Sequence, residues 1–303
     1  MSGRLGLRSW NRHETGRFSY DAIAQDLDRR VAQRLGRGDI DAVYAYEDFA
    51  AHTFRAAHRL DARRIYELPI GHWRLGRRIF QEEASLRPEW AMTLEGLNDS
   101  PEKLERKDQE ARLAQDIIVP SEFVAASLAE CPGVEGRIHV VNYGCPTPAD
   151  HLAYRDSGPL RVLFVGSLGA RKGVPYVLEA VEDLDIELTL VGPLPGTRCL
   201  ALESGIEKHR YLGSIPRDRV LDEMRSNEVF LFPSLFEGLA NVLLEAMSQG
   251  LAPITTTNSG AQGVVDDGHD GFLVPIRSVE SIRSRLTELI EDRDKLNRMR
   301  ASA

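Results

Sequence analysis

Lysine is almost missing from this chain. Of 38 basic residues only five are lysines (Lys103, Lys107, Lys172, Lys208 and Lys295), so a lysine inside a glycine-rich turn stands out against arginine. Cysteine is equally scarce. Cys131, Cys145 and Cys199 are odd in number and lack metal-ligand spacing, which argues against a disulfide framework and fits a reducing cytoplasm. No apolar h-region follows Met1, and no run approaches the roughly 20 apolar residues a membrane span requires. The expected location is therefore cytoplasmic, at most peripheral on the inner membrane face. Positive charge is not in excess either. A net charge of −8 argues against nucleic acid as the main partner, and no repeat of 20 to 50 residues is visible.

What is present is a soluble-type composition, 42% hydrophobic and 28% charged over 303 residues, long enough for two domains with real cores. Residues 1–18 are polar and arginine-rich, with Trp10 and Phe18 as large apolar anchors, and are expected to be poorly ordered. Beyond them strand-like and helix-like segments alternate. Helices are predicted over Tyr20–Leu35, with Ile23, Leu27 and Val31 on one stripe, over Trp73–Leu86, and over Pro101–Leu113 with Ser100 as cap. Strands are predicted over Ile40–Tyr46, Arg64–Ile70, Asp116–Ser121 and Arg137–Asn142. Such alternation means parallel strands joined by right-handed crossovers, an α/β doubly wound arrangement. Pro146, Pro148, Gly158 and Pro159 mark a linker, dividing the chain into residues 1–148, a linker 149–158 and a second domain 159–303. In the second half the strands Arg161–Val165, Ile186–Val191 and Val229–Phe232 are the clearest.

One stretch organises the rest. After the strand Val229–Phe232 comes Pro233-Ser234-Leu235-Phe236-Glu237-Gly238, then Leu239, Val242, Leu243, Ala246 and Met247 at helical spacing, then Gly250 and the strand Ala252–Thr256. A helix opening at Gly238 would place Glu237 at a strand's carboxyl end beside unpaired backbone N–H groups, and Glu245 two turns along. Amides suit phosphate and carboxylates suit sugar hydroxyls, which together suit a nucleotide-sugar. Two glutamates eight apart mean nothing alone, because Glu102/Glu110, Glu122/Glu130, Glu179/Glu187 and Glu280/Glu288 share the spacing. Only the strand–turn–helix context separates Glu237/Glu245 from these.

A second loop, Gly166-Ser167-Leu168-Gly169-Ala170-Arg171-Lys172-Gly173, joins a strand to a helix. Gly173 after the lysine excludes a Walker loop, and the glycine spacing is not that of a dinucleotide fingerprint. Two cations in such a turn could neutralise a departing diphosphate. A solvated basic turn is the bland reading.

Together these strings resemble the family 4 (group 1) retaining glycosyltransferases of the GT-B fold, whose two Rossmann-like doubly wound domains face across a cleft. The Pro-Ser-x-x-Glu-Gly helix resembles the family's Glu-x7-Glu signature, and residues 166–173 its Gly-Arg-Leu-x-x-x-Lys-Gly element. The resemblance implies Lys172 as the diphosphate lysine, with Ser167 standing where arginine is usual and Arg171 as its substitute. It implies Glu245 on the ribose and Glu237 near the transferred sugar, beside the amides of Gly238, Leu239, Ala240 and Asn241. Gly166 would line the phosphate turn, and Gly213 and Ile215 would border the base. The family's opening strand and Gly-Gly loop have no counterpart between Met1 and Tyr46, and the chain stops soon after a helix from Ser278. The first domain is therefore expected to be incomplete, the chain being short at both ends.

His72, in Leu68-Pro69-Ile70-Gly71-His72-Trp73, follows a first-domain strand, where the resemblance implies a histidine near the donor sugar. A lone histidine beside tryptophan is also a common structural arrangement. Residues 55–80 carry seven arginines against Asp61 and Glu67, a patch that suits an anionic acceptor or membrane surface and equally a solvated helix face. The resulting expectation is a metal-independent, retaining glycosyltransferase without cofactor, moving a sugar from a nucleotide-sugar to a glycan, lipid-linked or small-molecule hydroxyl. Glu237, Lys172 and His72 are the candidate catalytic residues. The alternatives are a non-catalytic nucleotide-sugar binding module or degenerate subunit, and a nucleotide-sugar epimerase of the same architecture.

Overall fold

The computed structural model describes residues 10, 12–36, 38–149 and 154–303. Most of the amino-terminal expectation of poor order therefore lies outside the described residues. Where the segment is described, Trp10 and Phe18 meet with ring centroids 5.6 Å apart, both about half exposed.

The chain forms two compact units that are not simple halves. One comprises 1–75, 98–120 and 124–141. The other comprises 76–97, 121–123 and 142–303. Residues 76–97 thus leave the first half of the sequence to pack with the second sheet, which no linker signal announced.

The first unit carries a four-stranded parallel sheet, β1 (Ala42–Tyr46), β2 (Arg63–Glu67), β3 (Asp116–Val119) and β4 (Arg137–Val140), in that spatial order. Its helices are α1 (Tyr20–Leu35), α2 (Ala51–Arg59), the start of α3 (Trp73–Leu86), α4 (Pro101–Leu113) and most of α5 (Glu122–Ser127). α1, α3 and α4 have the predicted bounds, and Ser100 Oγ accepts from Lys103 N as the predicted cap.

The stripe of α1 is a surprise. Ile23, Leu27 and Val31 are exposed, while Asp21, Ala24 and Asp28 are buried. The cause is local, since Asp28 accepts from the amides of His52 (2.7 Å) and Thr53 (2.8 Å) in the first turn of α2. A carboxylate at a helix N-terminus satisfies donors that would otherwise be orphaned, and this outranks burial of the apolar face.

The second unit carries six parallel strands in the order β10-β9-β8-β5-β6-β7. They are β5 (Leu160–Val165), β6 (Ile186–Val191), β7 (Arg210–Tyr211), β8 (Val229–Phe232), β9 (Ala252–Thr256) and β10 (Phe272–Val274). β8 reads Val-Phe-Leu-Phe and is buried throughout, as a central strand covered on both faces must be. The remaining helices are α6 (Val174–Val181), α7 (Leu200–Ile206), α8 (Arg217–Ser226), α9 (Asn241–Ser248), α10 (Val279–Glu291) and α11 (Arg293–Ser302). α11 is absent from the sequence reading. Its apolar signal is thin among charges, but Leu296 and Met299 are buried. No helix among the described residues is long and apolar enough to cross a membrane.

Strand order reverses between β5 and β8. From β5 the chain winds outward to β6 and β7, and from β8 the other way to β9 and β10. Ligands of doubly wound sheets bind beyond the carboxyl ends of the strands at such a switch point. The two loops singled out by sequence leave from these two strands.

Candidate active site

Both loops are shaped by close backbone approach. Gly173 has φ +77°, and a Cβ there would lie 2.1 Å from Pro233 O, so only glycine lets the β5 loop pass against the β8 loop. The loops are also stitched together, with Leu235 N donating to Arg171 O at 2.8 Å. On the far side, Gly260 (φ +80°) lies against Gly238 O, where a Cβ would come within 2.1 Å. Glu237 N donates to Asn258 O (3.0 Å), Ala240 N to Ser259 O (3.1 Å), and Ser121 Oγ to Gly238 O (2.6 Å).

The helix after Glu237 starts later than predicted. α9 begins at Asn241, so Gly238–Ala240 form a loop instead of a first turn. The bonds from Glu237 N, Ala240 N and to Gly238 O hold these residues in an irregular path that a helical start would break.

Glu237 is buried. Its Oε1 receives Lys172 Nζ at 2.5 Å and Arg171 Nη1 at 2.9 Å, and Ser234 Oγ lies 2.9 Å from the same oxygen. Arg171 Nη1 also donates to Phe236 O at 3.0 Å. Burial pushes the Lys172 ammonium down from its ordinary pKa, against the upward pull of Glu237. Lys172 Nζ also lies 5.3 Å from the centre of the Phe232 ring.

Arg171, Lys172 and Glu237 line a cavity of 660 Å³ with Gly166, Ser167, Ile215, Arg217, Leu239, Ala240, Asn241 and Glu245 on its wall. Such a volume suits a ligand of nucleotide-sugar size. Glu245 Oε1 receives Arg217 Nε at 2.8 Å. Gly213 and Gly238 are not on the wall. Gly213, at φ +66°, accepts from Gly192 N through its carbonyl. Of the second-unit candidates the structure thus gathers all but these two glycines around one space.

Residues 76–97 buttress the same loops. Phe80 packs edge-on against Phe236 at 5.5 Å, and the Thr93 hydroxyl accepts from Ala170 N at 2.9 Å. Arg87 pairs with Glu179 through Nη2 at 2.7 Å, and Tyr176 donates to Glu83, which also receives Arg277 Nε at 2.8 Å.

His72 belongs to the first unit and is 1% exposed. Its backbone N donates to Ser127 Oγ (2.7 Å), and its Nε2 lies 3.4 Å from Asp108 Oδ1 without a hydrogen bond of good geometry. Burial lowers its pKa to about 4, despite Asp108, so the ring is neutral. Asp108 also accepts from Trp73 Nε1 (2.7 Å) and Arg74 Nη2 (2.5 Å), and Cys131 Sγ donates to it at 3.6 Å. His72, Asp108 and Cys131 are close enough to suggest a metal, but Arg74 and Arg112 already hold Asp108, and two guanidiniums oppose a further cation. Much of the arginine patch is similarly engaged. Arg63 bonds Asp116, Arg64 bonds Leu113 O, and Arg55 bonds Gln109.

Sequence reasoning missed Ser234, Asn258, Thr93 and Arg217. Ser234 was visible in the Pro-Ser string three residues before Glu237. The other three are ordinary polar residues whose meaning lies only in where the fold carries them.

The parallel sheets and the switch point define a fold class. The fold is that of the GT-B glycosyltransferases. The chain is similar to sucrose-phosphate synthase from Thermosynechococcus elongatus, with a TM-score of 0.69 at 16% identity over 96% of this chain and 75% of that one. It is also similar to Anabaena HepE in complex with UDP, with a TM-score of 0.67 at 16% identity over 96% and 78%. Residues 154–303, just under half of the chain, match the family model described as glycosyl transferases group 1. Phosphatidyl-myo-inositol mannosyltransferase of Mycolicibacterium smegmatis is 28% identical over 198 residues, 62% of this chain and 47% of the relative. The chain spans less than half the length of the curated relatives it matches.

Proposed function

We propose that this protein transfers a sugar from a nucleotide-sugar to an acceptor hydroxyl with retention of configuration and without a metal. The observation that carries the reading is one cavity at the switch point holding Arg171 and Lys172 beside Glu237, with Glu245 on the same wall. HepE was solved with UDP, which supports a nucleoside diphosphate as the occupant.

In the reaction the bond between the anomeric carbon and the diphosphate oxygen breaks, and a bond from the acceptor oxygen forms on the same face. The acceptor's proton passes to the departing phosphate oxygen. Negative charge grows on the diphosphate as it leaves, and the role of Arg171 and Lys172 is to stabilise that charge. Glu237 holds both cations, and an arriving diphosphate competes for them. Glu237 then faces the hydroxyls of the sugar, and Glu245 accepts from the ribose. His72 is neutral, so a role near the donor sugar would be hydrogen bonding without charge. Arg55, Arg63, Arg64 and Arg74 have partners within the fold, which argues against contact with a membrane surface through residues 55–80.

The test is a screen of UDP-, GDP- and ADP-sugars for thermal stabilisation, followed by analysis of the product's anomeric configuration. A ligand at a hundredfold its Kd should add about 2.7 kcal/mol. Stabilisation by a nucleotide-sugar without transfer to any hydroxyl acceptor would favour a binding module. No stabilisation by any of them would refute the reading.

A further inference from the structure

Arg217 has no role in the reading above, yet its placement is unusual. It is the first residue of α8, next to Pro216, which makes no side-chain cap. A cation at a helix N-terminus faces the positive end of the macrodipole, so helix stability does not explain it. Nor does the ion pair with Glu245, since the Arg217 side chain is 64% exposed and exposed pairs contribute little to stability. What the pair does is geometric. Arg217 Nε reaches Glu245 Oε1 at 2.8 Å across 28 residues of sequence and fixes one oxygen of a carboxylate that lines the cavity.

We propose that Arg217 is a positioning residue that aims Glu245 at the ribose of the nucleotide and so determines selectivity for ribose over deoxyribose. The proposal rests on the reading that Glu245 accepts from the ribose. A carboxylate has about four acceptor positions. One is taken by Arg217 Nε, and the bond sets the plane of the group, leaving Oε2 and the second lone pair of Oε1 for the two neighbouring hydroxyls. A glutamate without this partner would sample several rotamers, and ordering it would fall to the ligand. Arg217 also sets the charge of the wall. The cavity presents Arg171, Lys172 and Arg217 against Glu237 and Glu245, three positive groups against two negative. Without Arg217 the balance is zero, a poorer match for a diphosphate.

The charge effect and the positioning effect separate by experiment. UDP and 2′-deoxy-UDP are titrated calorimetrically into the full chain, with the ADP and GDP pairs in parallel so that the base that binds is used. The wild type should prefer the ribonucleotide about tenfold, the scale of one hydrogen bond to a charged group. Arg217→Ala should reduce that preference to about threefold or less. Arg217→Lys should recover overall affinity, because it restores the charge, but not the preference, because it lacks the Nε geometry. In a Glu245→Gln background, Arg217→Ala should leave the preference unchanged, as expected of residues acting through one another. Equal weakening of both nucleotides by Arg217→Ala, with the preference intact, would overturn the proposal and make Arg217 only a phosphate-facing charge. The underlying reading fails separately if Glu245→Gln itself leaves the preference at the wild-type value.

Discussion

Lys172 Nζ and Glu237 Oε1 lie 2.5 Å apart, joining the β5 loop to the β8 loop through a part-buried ion pair. Arg171 reaches the same oxygen at 2.9 Å. A carboxylate shared by two cations is a stable arrangement and a competitor to any anion that enters. The strands dictate this meeting, since β5 and β8 are neighbours at the point where strand order reverses.

Replacing Glu237 by Gln should therefore separate binding from turnover. The amide cannot neutralise Arg171 and Lys172, so both are freer to meet a diphosphate, and UDP affinity should rise about threefold to tenfold, the scale of one partly exposed ion pair. Turnover should fall by about 10² or more if Glu237 serves the sugar in the transition state. Calorimetry with UDP and a transfer assay measure the two effects. Weaker UDP binding would mean that Glu237 supports the nucleotide directly.

Much of this was legible in the sequence because the signals were local. Ser100 before Pro101 marked a helix start, the apolar run Val229–Phe232 marked a strand, and Gly173 after Lys172 marked a turn that is not a Walker loop. The direct bond between Lys172 and Glu237 was not legible, since 65 residues separate them and only strand order brings them together. The same limit hid the packing of Phe80 on Phe236 and of Thr93 on Ala170. The α1 stripe misled for a different reason. Periodicity identifies a face but not what covers it, and Asp28 turned the helix toward the amides of α2.

The dependence of the second sheet on residues 76–97 predicts the behaviour of a fragment. Asn142–Ala303 alone would leave Phe236 and Tyr176 uncovered, and Glu179 and Arg277 without the partners they have in Arg87 and Glu83. Such a fragment should lack a cooperative melt and bind UDP at least tenfold more weakly than the full chain. In the full chain, Thr93→Val keeps the volume but deprives Ala170 N of its acceptor, a loss of about 1–3 kcal/mol. A fragment with a cooperative melt and undiminished UDP affinity would show that the buttress is dispensable.

His72 makes stability depend on pH with a definite sign. Its folded pKa, about 4, lies below the value of roughly 6.5 expected in the unfolded chain. Below pH 6.5 the unfolded state takes up a proton that the folded state refuses. The stability His72 allows is present above that pH and is lost as pH falls toward 4, at about 1.4 kcal/mol per unit. His72→Gln removes this titration. The stability difference between wild type and variant, measured by urea unfolding, should therefore shift by about 2 kcal/mol against the wild type between pH 7 and pH 5. A difference that does not move with pH would mean that the ring is accessible to protons in the folded state.

Lys172 decides whether the site is catalytic or only a receptor. Its ammonium is part-buried beside Glu237, and a departing diphosphate would present a stronger anion in the same space. If the interaction strengthens as the sugar–phosphate bond breaks, removing it must lower the rate more than it lowers donor affinity. Lys172→Ala should thus weaken donor binding by less than about tenfold and lower kcat by about 10²–10³, the usual effect of losing one preorganised charge at a developing anion. Arg171 remains in that variant, but its Nη1 is shared between Phe236 O and Glu237, so it cannot move freely into the place of the lysine. Lys172→Arg should rescue only in part, because a planar fork does not reproduce a compact ammonium in a part-buried position. The comparison needs single-turnover rates and donor Kd for both variants. If affinity fell by the full amount while kcat stayed at the wild-type value, Lys172 would bind ground state and transition state alike, and catalysis would have to rest on other groups.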